Sequence, residues 1–152
     1  MYQLYRRPYL LKQLAAQFPM ASWPNPIIMN EAYCAMSEDS IVKQFASYMW
    51  AFQAARGNLT YQRRGNQCEH YALRAALEIV DLFRQMNDTE IPPEAESIAI
   101  AACSFDRAEG KGRHEANLWL IAGVWRSWEP QTREFFTFAE TERLSVAEVI
   151  VP

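Results

Sequence analysis

The chain has 152 residues, half of them hydrophobic and 13% aromatic, enough to bury one substantial core and too apolar for a disordered chain. Its net charge is −3 and its basic residues are scattered beyond the doublets Arg6-Arg7 and Arg63-Arg64, which argues against the continuous basic face of a nucleic-acid binder. No window approaches the roughly 18–20 apolar residues of a membrane span, and Arg6, Arg7 and Pro8 interrupt the N-terminal stretch where a secretory signal would lie. A single cytoplasmic domain over 1–152, without a nucleic-acid or membrane partner, is the expectation.

In chain order, Leu10, Leu11, Leu14, Ala15 and Phe18 form one stripe and predict a helix from about Pro8 to Phe18. The prolines between Pro19 and Pro26 predict an irregular connection. From Asp39 to Ala55 the apolar positions Ile41, Val42, Phe45, Met49 and Phe52 recur at three and four, with Ser37 as a candidate cap and Gly57-Asn58 as the stop. Gly65-Asn66 then breaks the chain before a helix predicted from about Gln67 to Met86. Its face of Cys68, Ala72, Ala75, Ala76, Ile79 and Phe83 is rich in small residues that let a helix sit close to a sheet.

Past Pro92-Pro93 the pattern turns to strands: Ser97 to Phe105, His114 to Ala122, Trp125 to Glu129, and Glu134 to Ala139. Gly123 marks a tight hairpin, Pro130 to Arg133 the next turn, and Asp106 to Arg113 a charged surface loop. The tail from Leu144 to Pro152 reads equally as a short helix or an edge strand. The whole predicts an α+β fold, N-terminal helices followed by a C-terminal antiparallel sheet.

Cys34, Cys68 and Cys103 cannot all pair within one chain and lack CxxC spacing, so reduced thiols are expected. Cys34 and Cys103 sit in apolar runs and read as small buried hydrophobes. Cys68 has polar neighbours on both sides and opens a helix, where unsatisfied N–H groups and the helix dipole favour a thiolate. His114 opens a strand and Glu129 closes its hairpin partner, which brings an imidazole and a carboxylate to one end of the sheet. Gln62, six residues before Cys68, offers an amide donor for an oxyanion. His70 lies two positions from Cys68 and faces away from it on a helix.

These motifs, Asn66-Gln67-Cys68-Glu69, His114-Glu115-Ala116-Asn117 and Trp128-Glu129-Pro130-Gln131-Thr132, resemble the papain-like cysteine protease domain of the Marasmius oreades agglutinin type and its stand-alone bacterial and phage homologues. The resemblance spans roughly Tyr61 to Phe138. It implies a papain-like fold with the nucleophile helix packed on the sheet, a Cys68-His114-Glu129 triad with Gln62 at the oxyanion, a peptide or protein substrate, and calcium dependence. Glu69, Asp106 and Glu115 are oxygen donors near the motifs, short of the six to eight oxygens that calcium takes.

Three functions follow as expectations. The first is a cysteine hydrolase, a peptidase attacking amide bonds through Cys68. The second is a transglutaminase-like transamidase built on the same order of residues. The third is a non-enzymatic binding or assembly module of a phage or mobile element that uses the cleft of the same scaffold.

Overall fold

The computed structural model describes residues 2–21, 26–37, 40–55 and 68–152; the side chains at 40–41, 49–50, 52–53 and 68–70 fall outside that description. In chain order the elements are β1 (Tyr2–Arg6), α1 (Arg7–Gln17), β2 (Ile27–Ile28), β3 (Ala32–Met36), α2 (Ser40–Ala55), α3 (Cys68–Gln85), β4 (Ser97–Ile98), β5 (Ile100–Asp106), β6 (Arg113–Ile121), β7 (Val124–Glu129), β8 (Glu134–Phe135), α4 (Glu140–Ser145) and β9 (Ala147–Val151).

The expected split into N-terminal helices and a C-terminal antiparallel sheet is corrected. The strands form one mixed sheet ordered β1-β3-β6-β5-β9-β2, with β4 on β3, β7 on β6, and β8 on β7. The N-terminal third supplies β1, β2 and β3, and parallel pairs join β2 to β9, β3 to β4, and β3 to β6. β3 is buried on both faces along its whole length, Ala-Tyr-Cys-Ala-Met, so it lacks the apolar-polar alternation that reveals a half-exposed strand. Glu134 to Ala139 shortens to β8, and the ambiguous tail contains both a helix, α4, and a strand, β9.

Local rules account for the elements that the sequence exposes. Pro8 stands in the first turn of α1, where its missing N–H costs nothing, and the helix stops at Phe18, whose N–H returns to the Leu14 carbonyl. The β6–β7 hairpin turns at Ala122 and Gly123, with φ of 49° and 81°. The positive φ at 123 favours glycine, and a side chain there would also push on the Tyr9 hydroxyl, 2.7 Å from the place of its Cβ.

Two apolar layers cover opposite faces of the sheet. On one, Leu10, Leu14 and Phe18 of α1 pack with Phe105, Ala116, Leu118, Leu120 and Trp125. On the other, α2 and α3 contribute Val42, Phe45, Ala75, Ala76, Ile79 and Phe83 against Ile100, Trp119, Ile121 and Trp128. Alternation along β6 decides which side chain goes where: even-numbered residues meet the α1 layer and odd-numbered ones the α3 layer. Asn117 accordingly reaches α3, donating through Nδ2 to the Ala72 carbonyl at 2.8 Å and to Ala101 at 3.0 Å.

Candidate functional site

His114 lies at the start of β6 on the α1 face, its ring edge-on to Phe105 with centroids 5.6 Å apart. The β6–β7 hairpin carries Glu129 to the same end of the sheet, and His114 Nε2 sits 2.6 Å from Glu129 Oε2. The carboxylate is held from behind as well, Oε1 accepting from the Gln131 N–H at 3.2 Å. The imidazole is 8% exposed and the carboxylate 20%, so their contact is largely shielded from water.

The other ring nitrogen is also taken. Arg107 Nη2 lies 2.8 Å from His114 Nδ1. A guanidinium only donates, so Nδ1 accepts and Nε2 carries the proton given to Glu129. The chain Arg107–His114–Glu129 thus fixes one tautomer. Arg107 stands on the connection between β5 and β6, which folds back through an Arg107 N–H to Gly112 carbonyl bond of 2.9 Å and the positive φ of Gly110 and Gly112. Glu142 of α4 accepts from the Ala108 N–H and joins Phe105, Arg107, His114, Glu129 and Phe136 around a cavity of about 280 Å³.

The third member of the expected triad, the sulfur of Cys68, lies outside the described side chains. Cys68 is the first residue of α3, and α3 covers the Asn117–Trp119 face, whereas His114 and Phe105 belong to the opposite face. The side chains of Cys68, Glu69 and His70, and the whole of Gln62, lie outside the described residues. Trp128, next to Glu129, packs edge-on against Trp119 in the α3 layer, with centroids 5.7 Å apart.

Of the oxygen donors near the motifs, Asp106 is engaged by Arg113 at 3.5 Å. Among the described residues no three His, Cys, Asp or Glu side chains come together as a metal site. Sequence reasoning missed Arg107, Phe136 and Glu142. Arg107 was legible only as one charge in a surface loop, and Glu142 enters through α4, whose place beside β5 is a long-range result.

No protein-family model and no curated protein matches the chain. Solved structures do. The lectin of Polyporus squamosus bound to the human-type influenza-binding epitope Neu5Aca2-6Galb1-4GlcNAc matches with a TM-score of 0.69 at 12% identity, over 97% of this chain and 49% of that one. A structure described as a PSL1a–E64 complex matches with a TM-score of 0.67 at 12% identity, over 97% of this chain and 51% of that one. The chain shares the fold of these structures and spans about half their length.

That likeness, together with the geometry, corrects the reading of a papain-like cysteine protease. The fold is a mostly-sheet one shared with the Polyporus squamosus lectin structure, and the His114 imidazole meets Arg107 and Glu129. The peptidase and hydrolase expectations fall with it. No described helix is long and apolar enough to cross a membrane.

Proposed function

We propose that this chain is a non-enzymatic binding module whose ligand site is the cavity around Arg107, His114 and Glu129, and that the ligand is a sugar unit. The carrying observation is the Arg107–His114–Glu129 chain itself. It uses the imidazole as a spacer that holds a donor and an acceptor on either side of an aromatic-walled cavity. Such a site presents guanidinium N–H groups to hydroxyl oxygens, carboxylates of Glu129 and Glu142 to hydroxyl protons, and the Phe105 and Phe136 rings to C–H faces. At about 280 Å³ it lies at the small end of ligand pockets, near 300 Å³ and upward, and suits one ring with its substituents. The shared fold with a glycan-bound lectin supports the ligand class.

The test is a glycan array followed by calorimetric titration of the hits. Arg107→Ala and Glu129→Gln should each weaken binding by about tenfold or more, since hydrogen bonds to charged groups contribute roughly 1.5–3 kcal/mol. Cys68→Ala should leave the affinity unchanged. An array without hits sinks the sugar reading, and loss of binding in Cys68→Ala returns the sulfur to the site.

A further inference from the structure

The cavity around His114 carries an imbalance of charge. Two carboxylates line it, Glu129 and Glu142, against one guanidinium, Arg107. Elsewhere the chain couples its carboxylates to arginines: Glu31 to Arg7 at 3.0 Å, Asp106 to Arg113 at 3.5 Å, Glu140 to Arg143 at 2.6 Å and Glu148 to Arg113 at 3.0 Å. The two in the cavity have no Lys or Arg partner among the described residues. Glu129 takes its bonds from the neutral His114 ring and the Gln131 N–H, and Glu142 from the Ala139 N–H at 2.9 Å and the Ala108 N–H at 3.3 Å. A carboxylate offers about four lone-pair sites, so each keeps acceptor capacity beyond those two bonds.

Burial decides which sign prevails. Arg107 is exposed, so water screens its charge, and one of its donors is tied to His114 Nδ1. The Glu129 carboxylate is only 20% exposed and is screened far less. Aromatic walls, Phe105 and Phe136, favour a cation over an anion at their ring faces. Among the described residues no three His, Cys, Asp or Glu side chains converge, so the space fits an organic ammonium rather than a metal ion. Glu142 is well placed to receive one, because its bond to the Ala139 N–H fixes it in the first turn of α4.

We infer that the ligand of this cavity carries a cationic amine on its ring, which within the sugar class means an amino sugar rather than a neutral or an acidic one. The inference rests on the sugar reading of the same cavity for the ring and adds its charge. The ammonium donates to Glu142 and to the open lone pairs of Glu129, where the carboxylate of an acidic sugar is repelled. Calorimetric titration of the intact chain tests this with methyl glucosaminide against the methyl glycosides of glucose, N-acetylglucosamine and glucuronic acid. Cyclohexylmethylamine against cyclohexylmethanol repeats the comparison without a sugar. Each amine should bind about tenfold more tightly than its uncharged counterparts, since an ionised hydrogen bond is roughly twice as strong as a neutral one, and the glucuronide should bind most weakly. Glu142→Gln, which keeps an amide oxygen for the Ala139 N–H, should erase most of the amine preference, and Glu142→Asp should keep part of it. Amines that bind no better than their neutral counterparts, a glucuronide that binds best, or a preference unmoved by Glu142→Gln would each overturn the inference while leaving the sugar reading standing. Cyclohexylmethylamine bound in preference to the alcohol, with no sugar bound at all, would sustain the charge of the site and sink the sugar reading alone.

Discussion

Glu148 lies on the β9 edge, where one oxygen, Oε2, accepts from Ser104 Oγ at 2.8 Å and from Arg113 Nη2 at 3.0 Å. Those two partners hold its carboxyl below the ordinary carboxylate range. A carboxyl depressed in the folded state favours folding above its unfolded pKa, and that contribution disappears as pH falls through the folded value. Denaturation curves measured from about pH 6 down to about pH 3 should therefore show a shallower acid loss in Glu148→Gln than in the parent. The difference should stay below about 1 kcal/mol, because the pair is largely exposed and screened. Identical acid limbs would show that the pair does nothing for folding. The same residue-level view explains why His114 and Glu129 were legible and Arg107 was not. The first two are joined by a hairpin whose register follows from Gly123, whereas Arg107 reaches the ring only because Gly110 and Gly112 let a charged loop fold back.

Helix α3 shows how an element is seated. Its small-residue face lies against the sheet, and Asn117 fastens it by donating to Ala72 and Ala101 from a fully buried position. Asn117→Ala removes those bonds and opens a void at the helix–sheet contact, so the denaturation midpoint should fall by the equivalent of about 1–3 kcal/mol. Sugar affinity should not change, since His114 and its cavity lie on the other face. A loss of affinity alongside the loss of stability would mean that α3 belongs to the site after all. Periodicity placed α1, α2 and α3 to within a residue or two, because the 3.6-residue repeat is local. It could not find β1, β2 or β3: one is brief, one is buried on both sides, and their partners lie far along the chain.

At the scale of the molecule, the two apolar layers each hold one of the free thiols whose surroundings are described. Cys34 lies in the α3 layer and Cys103 in the α1 layer, and burial pushes both up to about 12. Neither offers a thiolate to a reagent in the folded chain at about pH 8, since an ordinary thiol titrates near 8.5. Iodoacetamide labelling followed by mass spectrometry should modify both only as fast as the whole sheet opens, and immediately in denaturant. Rapid native labelling of either would contradict the layer to which it is assigned.

The sequence by itself determined the helical stripes, the β6–β7 hairpin and, through that hairpin, the meeting of His114 with Glu129. Each depends on a repeat or a turn spanning a few residues. Only the tertiary structure decided which face of the sheet each helix covers, and with it that α1 and α3 pack on opposite sides, with His114 on the α1 side. Order along the chain cannot carry that choice. It is settled when every apolar face is buried at once, which joins an N-terminal strand to a C-terminal one and sets Arg107 against the imidazole.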